Sequence, residues 1–137
     1  MHKETISYKD YNGIERKETF YFNLTEAELT EWQYSMKGGM KAFLQKIIDA
    51  KDLPELIKLF KNLVRMSYGV KSDDGRRFIK NDDVLEDFVQ TPAYSMIFMK
   101  LATDDEAGAK FINNIMPENL MEEARKQGEI LPAVDDQ

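Results

Sequence analysis

Between Ile6 and Phe22 the chain alternates apolar and polar residues on both sides of Asn12-Gly13, and no other stretch limits the possible folds as much. Asn-Gly flanked by alternation is a strong short-range hairpin signal. Two registers compete. A two-residue loop pairs Ile6 with Thr19 and Tyr8 with Lys17, which turns Phe20 and Phe22 to the other side. A three-residue loop, Tyr11-Asn12-Gly13, gathers Ile6, Tyr8, Ile14, Phe20 and Phe22 on one face, with Gly13 in the left-handed region of a bulged turn. The bulged loop is preferred, because a one-residue slip sends a whole apolar set to the wrong side. A lone hairpin is marginal in water, so this face must lie on something else.

That partner is announced at once. Thr25-Glu26-Ala27-Glu28 spells a capping box, and beyond it the apolar period changes from 2 to 3.6. The first predicted helix runs from Thr25 to about Met36, with Leu29 and Trp32 as core contacts. A second covers about 39–51. A third opens with Asp52 as N-cap and Pro54 in its first turn, carries Phe60, Leu63 and Val64, and ends near Tyr68-Gly69 with glycine as its C-terminal cap. Residues 70–81 read as an irregular connection in which Arg77-Phe78-Ile79-Lys80 can add a short strand. Asn81 caps a helix over 82–90. Thr91-Pro92 starts one whose inward residues are Tyr94, Ile97, Phe98 and Leu101, and Thr103 with Glu106 reads as a further capping box before Ala107, Phe111, Ile112 and Ile115. Pro117 closes that helix, and a last amphipathic one spans about 118–127.

The expected fold is therefore α+β and mostly α: an N-terminal β-hairpin (3–23) packed on a bundle of about six short helices (25–127). The 137 residues suit a single globular domain over 1–128, followed by an acidic, disordered segment over 129–137. The net charge of −6 is lopsided: residues 103–137 carry nine acidic side chains against three basic ones, and the rest is balanced. This acidity opposes nucleic-acid binding, which rests on neutralising phosphates. No apolar run is long enough to span a membrane, and Met1 to Ile6 lacks a secretory apolar core, so a cytoplasmic protein is expected.

Catalytic chemistry finds little support. With no cysteine, thiol catalysis and thiolate metal sites are excluded. The sole histidine is His2, expected to fray at the terminus, and no Gly-rich phosphate loop occurs. Asp73-Asp74-Gly75 fails as a calcium loop because Val84 stands where the closing glutamate belongs. Asp82-Asp83 and Asp104-Asp105-Glu106 are accounted for by helix N-termini. Arg76-Arg77 with Lys71 and Lys80 forms a local basic patch that is read as a solvated loop. No enzyme activity, cofactor or metal is expected.

Methionine gives a sharper clue. Met96 and Met99 fall outside the inward face of their own helix, and a helix apolar all round has a neighbour on each side or a partner on one. Met96, Met99 and Tyr94, with Trp32 and Met36, are the candidate partner-binding residues, holding an amphipathic helix.

Three segments carry a family resemblance: Tyr8 to Leu29, with Asn12-Gly13-Ile14 and Phe20-Tyr21-Phe22-Asn23-Leu24-Thr25; Tyr68 to Lys80, with Asp74-Gly75-Arg76-Arg77-Phe78; and Phe88 to Thr103, continued by Phe111 to Pro117. Over about residues 3–117 the chain resembles the tail assembly chaperones of long-tailed phages and prophages of Gram-positive bacteria. The resemblance implies a non-catalytic protein that coats the tape measure protein and brings tail tube subunits to it. It also implies action in the host cytoplasm, absence from the mature virion, possible homo-oligomers, and a longer frameshifted form as a further partner. With Gly128 to Gln137 at its end, this chain resembles the short form. Two readings of other classes stay open, a minor tail or connector component and a small prophage protein that binds a host factor.

Overall fold

The computed structural model describes residues 1–35 and 53–117, and its first element is the bulged hairpin. Strands β1 (His2–Lys9) and β2 (Glu15–Phe22) run antiparallel from His2↔Phe22 to Lys9↔Glu15, the register of the three-residue loop. The Asp10 N–H donates to the Ile14 carbonyl at 2.9 Å, the Gly13 N–H donates to the Asp10 carbonyl at 2.9 Å, and Gly13 has φ +80°. The Asp10 carboxylate accepts from the backbone N–H of Asn12 and Ile14, so the loop is stapled by its first residue.

Tyr8, Phe20 and Phe22 are buried, and Ile6 packs partly against them. Ile14 departs from the expectation: it is 57% exposed. Its parity is right, but it adjoins the exposed loop tip, beyond the reach of the helices. The inward face continues instead toward the start of β1, where His2 and Glu4 are buried. His2 does not fray.

Helix α1 (Glu26–Ser35) begins with the predicted capping box: the Glu28 N–H donates to Thr25 Oγ1 at 3.1 Å and the Thr25 N–H to Glu28 Oε1 at 2.9 Å. Helix α2 (Leu53–Ser67) buries Phe60, Leu63 and Val64. It does not end in a glycine cap. The chain passes directly into β3 (Tyr68–Lys71), which pairs with β2 through Phe22↔Tyr68 and Tyr21↔Gly69. A second hairpin then returns as β4 (Phe78–Ile79), giving the order β1-β2-β3-β4. Its turn uses Gly75 at φ +76°, with the Gly75 N–H donating to the Ser72 carbonyl. Gly69 is needed for contact, since a Cβ there would lie 2.6 Å from the Phe78 ring.

Helix α3 (Asp82–Val89) has Asn81 as its N-cap, and α4 (Pro92–Thr103) has Thr91 with Pro92 in the first position, both as expected. Helix α5 (Asp105–Ile115) differs in its cap. Asp104, not Thr103, accepts the N–H groups of Glu106 and Ala107, while the Thr103 hydroxyl donates back to the Met99 carbonyl within α4. A carboxylate also favours the positive end of the helix dipole, which a hydroxyl does not.

The α+β, mostly α class holds, with five helices among the described residues; the hairpin is extended to a four-stranded sheet. The core joins the two layers. Phe22 lies 5.5 Å from Phe111 and 5.9 Å from Phe88 between ring centroids, and Tyr68 stacks on Phe88 at 4.1 Å. Each such side chain, fully buried, stabilises by roughly 1.5–3 kcal/mol, with about 0.5–1.5 more per favourable ring pair. Met36, Asp52, the predicted helices over 39–51 and 118–127, and residues 129–137 lie outside the described residues.

Candidate binding surface

Helix α4 positions the surface. It packs on β1, α2, α3 and α5, and its inner side is Ala93, Ile97, Leu101 and Ala102, all buried. Tyr94 and Phe98 occupy the flank half-buried, stacked at 6.0 Å, with Tyr94 edge-on to Phe88. Residues three apart share a helix face. Met96 and Met99 therefore stand together on the side away from Ile97 and Leu101, 46% and 48% exposed. Other methionines behave differently: Met116 is buried in the core and Met66 packs against it. Single exposed apolar residues are ordinary on any surface. Two adjacent thioethers on one helix form a strip that can adapt to an apolar partner.

The strip brings together Met96 and Met99, whereas Tyr94, two residues before Met96 and so about 200° round the helix, packs against the core on the other side. Trp32 packs against the core from α1. Met36 lies outside the described residues.

One edge of the strip is anchored by a cluster that sequence reading passed over. Lys100 Nζ donates to Glu4 Oε1 at 3.0 Å, Glu4 Oε2 meets His2 Nε2 at 2.6 Å, and His2 Nδ1 faces Asn114 Nδ2 at 3.0 Å. The His2 ring also stands edge-on to Phe111 at 5.1 Å. With Asn114 donating to Nδ1, the histidine proton lies on Nε2 and points at Glu4. Burial opposes the charge on Glu4, yet the hydrogen bonds from His2 and Lys100 outweigh it and hold its carboxyl below the usual range. Strand parity carried the signal, since His2 and Glu4 share a face with Tyr8.

The basic patch dissolves into local contacts. Lys80 Nζ donates to the carbonyl oxygens of Asn23 and Met66 and to the Glu28 carboxylate. Lys71 stands 4.4 Å from the Tyr21 ring centroid, and Arg76 faces Asp74. The Asp74 carboxyl is held low by the Arg76 N–H and the Ser72 hydroxyl, so its oxygens already serve the turn. Among the described residues, no group of three or more His, Cys, Asp or Glu side chains could hold a metal ion, and no helix is long and apolar enough to cross a membrane.

The family model described as phage tail assembly chaperone matches residues 1–137. The chain belongs to that family. No curated protein and no solved structure matches it. In this phage tail assembly chaperone, Met96 and Met99 are apolar side chains left about half exposed on a helix whose other side is buried.

Proposed function

We propose that this tail assembly chaperone holds the tape measure protein through the Met96–Met99 strip and delivers tail tube subunits to it, acting by binding rather than by catalysis. The exposure of both thioethers on a helix whose other side is buried carries the reading. The occupant is an amphipathic helix of the tape measure protein, its apolar face laid along α4. Asp104, Asp105 and Glu106 follow the strip at the end of α4, so basic residues beside the partner's apolar face complete the match.

Magnitudes set the mode of action. Covering the exposed half of two methionines contributes about 1.5–3 kcal/mol in gross terms, which falls short of the cost of roughly 4–15 kcal/mol for association. One copy therefore binds weakly, and many copies along a long helical partner supply the hold through multivalency. Weak individual contacts also let the chaperone depart as tube subunits take its place, in the host cytoplasm and before the virion is complete. A longer frameshifted form would share the same strip and add a second contact.

Titration calorimetry with amphipathic helical peptides cut from the tape measure protein tests the contact. The wild-type chain is expected to bind several of them, and Met96→Glu/Met99→Glu to lose at least tenfold in affinity. Equal binding by both chains would remove the strip from the mechanism.

A further inference from the structure

Sulfur enters this chain only as methionine, because it holds no cysteine. With no thiol to react first, the thioethers are the side chains most readily oxidised by a peroxide, and exposure decides which of them react. Among the described residues that exposure divides sharply. Met96 and Met99 are 46% and 48% exposed on α4, Met66 is partly buried against the core, and Met116 is 5% exposed within it. Met1 is as open as the α4 pair, but it stands before β1 and shares no helix face.

We propose that Met96 and Met99 form an oxidation site through which peroxide turns the α4 strip from apolar to polar, reversibly. The thioether sulfur gives its lone pair to one peroxide oxygen. A sulfur–oxygen bond forms, the oxygen–oxygen bond breaks, and the second oxygen takes the proton of the first and leaves as water. Sulfur loses two electrons and hydrogen peroxide gains them. Methionine sulfoxide reductases reverse the step: two thiols become a disulfide, and the sulfoxide oxygen departs as water.

Placement makes this a change of surface and not of fold. On the free chain both sulfoxides stay hydrated, while Ala93, Ile97, Leu101 and Ala102 keep their packing on the inner side of α4. Three residues apart, the two new dipoles share one helix face and act together. Against an apolar helix they must either stay wet, which holds the surfaces apart, or be buried without a donor. The loss of binding rests on the strip being the tape measure contact; the oxidation does not. Met116 is protected for as long as the core is closed, since a sulfoxide there would place an unpaired oxygen among apolar side chains.

The full chain treated with dilute hydrogen peroxide and mapped by peptide mass spectrometry tests the site. Met96 and Met99 are expected to gain oxygen about tenfold faster than Met116, with the melting temperature unchanged. Affinity for the amphipathic tape measure peptides should fall about tenfold and return after treatment with the two sulfoxide reductases, one for each epimer. Met96→Leu/Met99→Leu should bind the peptides equally before and after peroxide. Oxidation no faster than at Met116, a chain that unfolds on oxidation, unchanged binding, or equal loss in the leucine variant would overturn the proposal. If the untreated chain binds none of the peptides, the tape measure reading alone fails, and retention on a hydrophobic-interaction column decides the site. Earlier elution of the oxidised wild-type chain, absent in the leucine variant, upholds it; equal shifts, or none, overturn it.

Discussion

The ammonium group of Lys80 lies 2.9 Å from both carboxylate oxygens of Glu28, joining the strand–turn region after β4 to the first turn of α1. The same ammonium reaches the carbonyl oxygens of Asn23 and Met66, and Glu28 also closes the capping box with Thr25. One side chain thus ties together the ends of β2 and α2 and the start of α1. Lys80→Met removes the charge but keeps most of the stem, leaving two carbonyls and a carboxylate without their donor. A loss of about 1–3 kcal/mol is expected, measured as a lower urea midpoint with unchanged slope. Glu28→Gln should cost less, since Thr25 still caps the helix.

Gly108 sets two effects against each other. Alanine in a helix interior is worth about 1 kcal/mol over glycine. A Cβ at Gly108, however, would come within 2.9 Å of the Leu101 carbonyl oxygen and 2.8 Å of Phe60 Cζ. Overpacking against backbone costs typically 1–3 kcal/mol, so Gly108→Ala should lower the thermal midpoint. Phe60→Leu in the same chain should recover part of the loss, although the Leu101 contact remains.

Acid should loosen the hold on β1. Glu4 has a depressed folded-state pKa, so its contribution is fully present above the ordinary carboxylate value of 4.5 and is lost as pH falls through the lower folded value. Unfolding free energy measured from pH 6 downward should therefore decline below about pH 4.5, and Glu4→Gln should be less stable at pH 6 yet flatter in this range. Tyr8 marks the other extreme: its hydroxyl donates to Glu18 at 2.7 Å, and that bond raises its pKa to about 12. Tyr68 is also raised, by burial, so ultraviolet titration should show a late phase in which Tyr8 resists ionisation to that pH, and Glu18→Gln should shrink that phase by releasing Tyr8.

Met96→Glu and Met99→Glu should leave the fold almost untouched. Both side chains are about half exposed and outside the core, where substitutions stay within about 0.5 kcal/mol. Circular dichroism melts of the single and double variants check this. A fall of several degrees would make these residues packing elements instead of a binding strip.

Much of the framework is legible in the residues because local signals agree with the packing. The hairpin register follows from parity and one glycine, and Thr25, Asn81 and Thr91 cap their helices as their spelling indicates. What escaped was long-range. Tyr68-Gly69 reads as a helix end and Val70-Lys71 as the start of an irregular connection, because only pairing with Phe22 and Tyr21 makes this stretch a strand. Gly69 passes for a cap because the ring it accommodates is nine residues away. Asp104 takes the cap from Thr103 by one position, a shift that spelling alone does not reveal. His2 and Glu4 are missed because a polar pair at a chain end looks solvated until α4 and α5 supply Lys100 and Asn114. In the candidate surface, the outward placement of Met96 and Met99 could be read from helical period.

The function proposed for α4 is to hold the tape measure protein. Co-expression of the two proteins from the same phage, followed by co-purification and light scattering, tests it most directly. A soluble complex with many copies of this chain per tape measure molecule is expected, lost in Met96→Glu/Met99→Glu. Tape measure protein that aggregates beside free chaperone, or a double variant that still forms the complex, would contradict it.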